Sequence, residues 1–246
     1  MLYAIIASPD CSDLLTSRLS AIQGVEDSKL ITVSCNKLTA IVAEISRKKV
    51  VVNTENALTF AKVIDKLSRH YPILPIRYGT LMDSDESIIL LLEKYESKFE
   101  QNLCVVENKE EFSLKVFWDY EKESKKIRQQ IYATEMENRT PFQGDSSSKA
   151  YLLQKMKEHR FENALLTSVE QLVGEICMLL TRFNPIYKFK KMVSQTMILD
   201  AVLLFDKEQK EVLIRAIDGL KNQHKNLRFL LTGPWPPYNF VELDIK

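Results

Sequence analysis

Strand and helix patterns follow the same order twice along this chain. Each time the order is strand, helix, two strands, helix and strand, with strands marked by alternating apolar residues and helices by apolar residues three or four apart. This order matches the split βαβ, or ferredoxin-like, plan, in which helices cover one face of a mainly antiparallel sheet. The sequence therefore predicts an α+β fold with two ferredoxin-like domains, the second enlarged by long helices. No residue-level repeat relates the two halves.

The first predicted domain comprises residues 1–108. Its strands are predicted at about 2–7, 29–35, 38–45 and 73–78, and its helices at about 11–22 and 54–69. The two residues at 36–37 are a short connection suited to a hairpin. A further helix begins at the acidic residues 83–86 and is predicted to extend to about Glu100, because acidic side chains favour a helix N-terminus. A short closing strand is predicted at 103–106.

The polar residues 107–111 mark the predicted boundary, and the second domain covers residues 109–246. Its first strand, at 112–120, alternates so that four apolar side chains share one face. These side chains are Phe112, Leu114, Val116 and Trp118. Inserted helices are predicted at about 121–184, with a Pro-, Gly- and Ser-containing loop at 138–149 between them. Strands at about 186–192, 196–205 and 226–232 and a helix at 207–222 complete the domain.

The longest predicted helix, at residues 147–183, carries apolar side chains spaced by threes and fours. These are Phe161, Leu165, Val169, Leu172, Ile176, Leu179 and Phe183. Such a stripe is typical of a helix that packs on a core rather than of a cofactor site. We therefore expect this helix to be packed inside the second domain.

The charge balance argues against a dedicated nucleic-acid or membrane binder. The chain has 34 Lys and Arg residues against 33 Asp and Glu residues, so it lacks the electrostatic footprint of such proteins. The N-terminal apolar segment at 2–7 is too short for an export signal and has no basic region before it. Uninterrupted apolar runs fall well below the ~20 residues that span a bilayer. We expect a cytoplasmic protein without a nucleic-acid or membrane partner.

Cysteine and histidine positions predict no metal site. The four cysteines lie far apart, form no CxxC pair and have no histidine at zinc-ligand spacing, which is typical of reduced thiols in a reducing compartment. The three histidines, His70, His159 and His224, are scattered near helix ends or polar helix faces. No nucleotide-binding, hydrolase or metalloprotease motif is present. The sequence therefore predicts no enzyme, no catalytic residue, no cofactor and no metal.

Two polar segments have an alternative interpretation that the residues themselves leave open. Asp83, Asp85 and Glu86 could form a Mg²⁺ site, but capping of the following helix explains them and is favoured. The strand at 187–191 carries aromatic and lysine residues, which RNA-recognition modules also use. It lacks their Gly-aromatic pattern, so a strand with a solvated lysine face is favoured.

The end of the chain carries an unusual cluster of prolines and aromatic residues, LLTGPWPPYNFV at 230–241. Proline fixes its own φ and disfavours helix at the preceding residue, so residues 235–237 are predicted to run extended. In a polyproline II conformation Trp235 and Tyr238 would lie on one side. A stiff aromatic arm of this kind either clamps its own domain or meets a partner, and the clamp is favoured.

A second distinctive segment, PILPIRYGT, lies at residues 72–80. Prolines on both sides of a short apolar run indicate an edge strand, and Gly79 indicates a turn that leads into the next helix. Arg77 is expected to pair with a carboxylate or to face a partner, with the pair favoured.

These two segments together resemble the gas vesicle protein F and L family. The terminal RFLLTGPWPPYNFV is similar to the family's GPWPPY-F ending, PIRYGT to its central signature, and the N-terminal YAIIA to its first strand. The resemblance extends over essentially the whole chain. The compact length and the lack of an acidic or repetitive tail favour an F-type member. The signature residues are Pro75, Arg77, Tyr78, Gly79, Thr80, Gly233, Pro234, Trp235, Pro236, Pro237, Tyr238 and Phe240.

The resemblance implies a cytoplasmic accessory protein or minor structural component of gas vesicles, without enzyme activity or cofactor. Its implied partners are the hydrophobic main shell protein (GvpA-type) and other accessory gas vesicle proteins. Because the second domain's long helix and aromatic arm are expected to be packed internally, we expect the first domain to supply most of the shell-binding surface. The competing interpretation is a ferredoxin-like small-ligand-binding or regulatory module.

Overall fold

A computed structural model describes residues 1–9, 12–45, 52–137, 147–183, 185–190 and 194–241. Contacts group these residues into two compact units. The first contains the described residues of Met1–Phe112, Leu204–Lys207 and Thr232–Lys246. The second contains those of Ser113–Leu203 and Glu208–Leu231. The division into domains of residues 1–108 and 109–246 stays a prediction.

The first sheet contains four strands in the order β2, β3, β1, β4. These are β1 (Leu2–Ala7), β2 (Leu30–Cys35), β3 (Leu38–Ala43) and β4 (Ile73–Pro75). All neighbouring strands are antiparallel, and the order agrees with the split βαβ plan. The β2–β3 hairpin turns at Asn36, whose φ of 52° lies in the left-handed region that Asn tolerates. As predicted, β4 is an edge strand, but it ends at Pro75 rather than at Tyr78.

Two helices, α1 (Ser12–Ser20) and α2 (Thr54–Ser68), pack on the first sheet. Asn53 caps α2 by accepting a hydrogen bond from the Asn56 N–H at 2.7 Å. Leu15 and Leu19 of α1 are buried in a core with residues of β1, β3 and α2. Leu14, which we expected on the same stripe, is exposed because its direction on the helix differs by about 100° from that of Leu15.

Helices α3 (Asp85–Lys94) and α4 (Glu96–Val106) also contact this sheet. Ser84 caps α3, accepting from the Ser87 N–H at 3.3 Å. A second hydrogen bond, between the Ser84 side chain and the Glu86 carboxyl, lowers the pKa of that carboxyl. The strand expected at 103–106 is wrong, because these residues belong to α4. Leu103 and Val106 follow Phe99 at helical spacing and are buried with it.

Helices therefore cover both faces of the first sheet, not one as the split βαβ plan predicts. Side chains of β3 alternate between the two faces, and those on both faces are buried. Ile41 and Ala43 belong to the core with α1 and α2. Ala40 and Val42 face the opposite side, where α3 and α4 contact the sheet. The additional helices after β4 cause the difference.

The second sheet has the order β6, β7, β5, β8. Its strands are β5 (Lys109–Trp118), β6 (Ile186–Phe189), β7 (Met197–Asp206) and β8 (Leu227–Trp235). Arg228 lies over the Phe117 ring, whereas Gly233 lies beside Phe112, so β8 runs antiparallel to β5. The four apolar side chains expected on one face of β5, at alternate positions from Phe112 to Trp118, are all buried. The α+β class with two antiparallel sheets is thus confirmed.

Three helices accompany the second sheet: α5 (Tyr120–Glu137), α6 (Ser147–Thr181) and α7 (Lys210–Gln223). Most of the loop predicted at 138–149 lies outside the described residues. The apolar stripe of α6 is only partly a core stripe. Phe161 and Ile176 are buried, but the other five members, from Leu165 to Phe183, are only half-buried. The stripe thus faces the domain as expected, but α6 also carries exposed apolar side chains outside the stripe, among them Leu166 and Met178.

Candidate functional site

The central signature forms a turn that is bound to the first strand. Gly79 has a φ of 86°, a conformation that glycine adopts at little cost. The N–H and the Oγ1 of Thr80 both donate to the Arg77 carbonyl, at 3.2 and 2.8 Å. The Thr80 carbonyl accepts from the Leu2 N–H at 3.0 Å. These bonds fix the turn against β1.

Tyr78 of this signature packs on an aromatic stack. Its ring meets the Phe60 ring edge-on at 5.2 Å, and Phe60 stacks on Tyr3 at 4.8 Å. Burial raises the pKa of the Tyr78 phenol. The Arg77 side chain is exposed and forms no ion pair within the part of the chain that the structure describes, so the favoured carboxylate pair is not observed there.

The terminal signature begins at a glycine that lies very close to β5. Gly233 has a φ of 132°. A Cβ built on Gly233 would lie 2.8 Å from the Glu111 carbonyl oxygen and 2.9 Å from Phe112 Cδ1. Only glycine fits this approach without displacing β5. The Gly233–Pro234 peptide bond is cis.

The chain then turns instead of continuing as an extended arm. β8 includes Pro234 and Trp235, but the Tyr238 N–H donates to the Pro236 carbonyl at 2.7 Å and the Phe240 N–H to the Pro237 carbonyl at 3.2 Å. The predicted extended conformation of residues 235–237 therefore ends at a turn, because successive backbone hydrogen bonds draw the chain back on itself.

Glu111 of β5 binds this turn. Its carboxylate accepts from the Asn239 N–H at 2.9 Å and from the Asn239 side-chain amide. Glu111 is buried, so these charge-assisted bonds compensate for its removal from water. The sequence did not single out Glu111, because this residue looks like one of several charged residues in a polar boundary segment. The available signal was its position directly before the alternating apolar residues of β5.

The three aromatic residues of the terminal signature differ in exposure. Phe240 is buried, whereas Trp235 and Tyr238 are about half exposed, at 50% and 44%. The Trp235 indole N–H donates to Thr232 Oγ1 at 3.3 Å. The bonds of this segment to Glu111 lie within the first compact unit. That these three aromatic residues fix the second domain or its contact with the first stays a prediction.

A pH-dependent contribution to stability is expected from Tyr238. Partial burial, followed by the charges of Asp65 and Glu111, raises the pKa of its phenol to about 12, against about 10 in an unfolded chain. Because the folded pKa is the higher one, the contribution is fully present below about pH 10 and is lost between about pH 10 and 12. Solvent screening of a half-exposed group limits it to less than about 1 kcal/mol.

The measurement is the free energy of urea unfolding at about pH 8 and about pH 11, for the wild type and for Tyr238→Phe. The wild type should lose more stability than the variant over this interval. Tyr3 and Tyr78 titrate in both proteins, so the difference isolates Tyr238. Equal losses in the two proteins would contradict the assignment.

Several exposed apolar side chains lie on α5 and α6, which contact each other. The members, each more than half exposed, are Tyr132, Tyr151, Leu152, Leu153 and Met156. We call these five residues the hairpin patch. Exposed apolar side chains in the first unit are instead scattered, for example Leu58 on α2 and Leu90 on α3. A concentration of exposed apolar side chains on two neighbouring helices indicates an interaction surface, whereas isolated exposed residues do not.

A groove of about 1130 Å³ runs between α5 and α6 beside the hairpin patch. Ile127 and Ile131 of α5 and Leu153 of α6 supply apolar lining, and Lys157 and Arg160 supply positive charge. Lys157 also lies 5.7 Å from the centre of the Tyr132 ring. This combination can hold an amphipathic segment that has an apolar face and a carboxylate.

The sequence carried a signal for the patch that the core interpretation overlooked. Three large apolar residues occur consecutively at 151–153. Successive helical residues point about 100° apart, so three in a row cannot all face one core. The expectation that the first domain supplies most of the shell-binding surface rested partly on internal packing of α6, and the choice between the two units stays a prediction.

One helix in the described part of the chain, Tyr151–Thr181, is long and apolar enough to cross a membrane by length and composition alone. It carries Glu162, Glu170 and Glu175, and carboxylates within a bilayer are costly. We therefore interpret its exposed apolar side chains as a protein-contact surface. Among the described residues, no group of His, Cys, Asp and Glu side chains could hold a metal ion.

The whole chain matches one protein family. The family model described as gas vesicle synthesis protein GvpL/GvpF matches residues 1–242. The chain belongs to the GvpL/GvpF family. Gas vesicle protein L1 of Halobacterium salinarum is 23% identical over 89% of this chain and 83% of its own length. Gas vesicle protein F of a Streptomyces species is 23% identical over 69% of this chain and 70% of its own length.

Solved structures of the GvpL/GvpF family share the fold. GvpF from Anabaena sp. PCC7120 superposes with a TM-score of 0.78 at 17% identity, covering 99% of this chain and 96% of its own. GvpF from Microcystis aeruginosa gives 0.72 at 18% identity, covering 98% of both chains. Both L-type and F-type relatives match, so assignment to the F type stays a prediction. Membership supports a role in gas vesicle assembly, in a family not known as catalytic.

Proposed function

We propose that this protein binds the hydrophobic main shell protein (GvpA-type) in the cytoplasm and keeps it from aggregating while a gas vesicle is nucleated. It then stays with the vesicle as a minor, shell-associated component. The hairpin patch carries this proposal, because an assembly protein that covers apolar subunits needs exposed apolar side chains of its own. Membership of the GvpL/GvpF family supports a role of this contact in gas vesicle assembly.

The proposed contact is an amphipathic helix of the shell protein laid along α5 and α6. Leu153 lies in the groove between these helices, while Leu152 and Met156 line an adjacent depression on α6. Apolar side chains of the shell helix would fill these positions, as in other helix-in-groove complexes.

Co-expression of tagged full-length protein with the shell protein tests the proposal. The shell protein should remain in the supernatant after lysis and co-purify with the tag. A tagged ferredoxin-like protein of unrelated function serves as the control. Shell protein that sediments to the same extent with either protein would contradict the proposal, and a metabolite that co-purifies in its place would favour a ligand-binding module.

A further inference from the structure

The outer strand of the second sheet has an unusual side-chain pattern. β6 (Ile186–Phe189) pairs with β7 alone in the part of the chain that is described. Three of its four side chains, those of Ile186, Tyr187 and Phe189, are at least two-fifths exposed. Natural edge strands are usually short, charged or covered. β6 is short and carries Lys188, as many edge strands do, but it also exposes two aromatic rings.

The two aromatic rings of β6 form one preassembled surface. Tyr187 and Phe189 lie on the same face because side chains alternate along a strand. Their rings meet at 5.3 Å with an interplanar angle of 63°, a favourable edge-to-face geometry. Ile186, Lys188 and Lys190 point to the opposite face. An added strand would therefore meet an aromatic face on one side and a basic face on the other.

The backbone of β6 is oriented for strand addition. The Lys190 N–H donates to the Asp200 carbonyl of β7 at 2.8 Å, so it points inward. Successive N–H groups of a strand point to opposite edges. The N–H groups of Phe189 and Tyr187 therefore point to the open edge, beside the same two exposed rings.

The charges indicate what kind of strand fits there. Directly opposite residues of paired strands share a face, so apolar side chains belong opposite Tyr187 and Phe189, and acidic ones opposite Lys188 and Lys190. A second copy of this chain lacks the acidic side chains for this site, and the antiparallel register centred on residue 188 would place Lys188 opposite Lys188. Nucleic acid would use the rings and lysines but not the outward N–H groups, and the chain as a whole is nearly neutral.

We propose that β6 is a docking edge for an extended segment of another protein in which apolar and acidic residues alternate. This segment extends the second sheet by one strand. The site lies on a sheet edge and binds an extended strand. The hairpin patch lies on α5 and α6 and is proposed to bind a helix. It therefore goes beyond the proposed shell binding, and either contact can fail without the other.

The test measures binding of a fluorescein-labelled peptide of alternating valine and glutamate to the full-length protein by fluorescence anisotropy. Phe189→Ala removes a ring but keeps the outward N–H, whereas Phe189→Pro removes both without deleting a bond to β7. We expect affinity to fall about tenfold in Phe189→Ala and further in Phe189→Pro. Leu230→Ala, an exposed apolar position on β8, should leave it unchanged.

Charge reversal gives a second, independent readout. Lys190→Glu should weaken binding of the glutamate peptide and strengthen binding of a matched valine and lysine peptide, while urea unfolding stays unchanged. Equal affinity of the wild type and Phe189→Pro for the glutamate peptide overturns the proposal. So does self-association through β6, seen as a dimer that Phe189→Pro converts to monomer, or displacement of the peptide by a single-stranded oligonucleotide.

Discussion

Replacement of Gly233 by alanine is expected to lower the free energy of unfolding by about 3 kcal/mol. Two costs add at this position. The new Cβ would lie 2.8 Å from the Glu111 carbonyl oxygen, so β5 and β8 must separate. A φ of 132° is also a conformation that residues with a side chain rarely adopt. The midpoint of thermal unfolding should fall by about 6–12 °C for a chain of this size.

Gly174→Ala is the matched control for this substitution. Gly174 lies in α6, and a Cβ there would meet no atom within 4 Å. Alanine is the better helix former by about 1 kcal/mol, so this variant should equal or exceed the wild type in stability. Thermal and urea unfolding of the wild type, Gly233→Ala and Gly174→Ala measure the differences in the free energy of unfolding. A Gly233→Ala protein as stable as the wild type would show that the close approach of Gly233 to β5 is not required.

Substitution of Leu152 and Met156 together by glutamate is expected to reduce shell-protein binding about a hundredfold. Each carboxylate would be buried against an apolar partner without compensation, and a loss of about 1.4 kcal/mol corresponds to a factor of ten. Both side chains are more than half exposed in the protein alone, so its own unfolding curve should not change. The ratio of shell protein to tagged protein after co-purification measures the effect.

The matched control is the pair Leu58→Glu and Leu90→Glu in the first unit. These leucines are as exposed as the two patch residues, and the pair introduces the same charge. Shell binding should persist in this control. Loss of binding in the control, with retention in the Leu152 and Met156 variant, would instead place the shell protein on the first unit, where the sequence alone suggested it.

Local patterns predicted the strands and most helices because their causes lie within a few residues. The hairpin at Asn36, the alternating face of β5 and the start of α2 all follow from neighbouring residues. The short apolar run at residues 103–106 fits the helical period and the strand period equally, so the sequence alone predicts a strand there. Leu103 and Val106 are buried together with Phe99, which only a helix allows at this spacing. That burial depends on residues far away in the chain.

The two signatures show where sequence reasoning about the site reached its limit. Proline and glycine positions indicated a turn after β4 and a restrained terminal segment, because these residues restrict φ directly. They could not indicate that Asn239 would bind Glu111, since 128 residues separate the two. A hydrogen bond across such a distance depends on which strands become neighbours.

The twice-occurring order of strands and helices determined the α+β class, because periodicity and chain order limit the sheets that can form. The terminal and central signatures determined the family resemblance. Tertiary structure alone decided which apolar residues became core. Leu152 and Phe161 look alike in the sequence, yet Phe161 is buried and Leu152 is exposed. Burial is a property of the packed neighbours, so only the folded chain shows that Leu152 is exposed beside a groove and that β6 lies at the edge of its sheet.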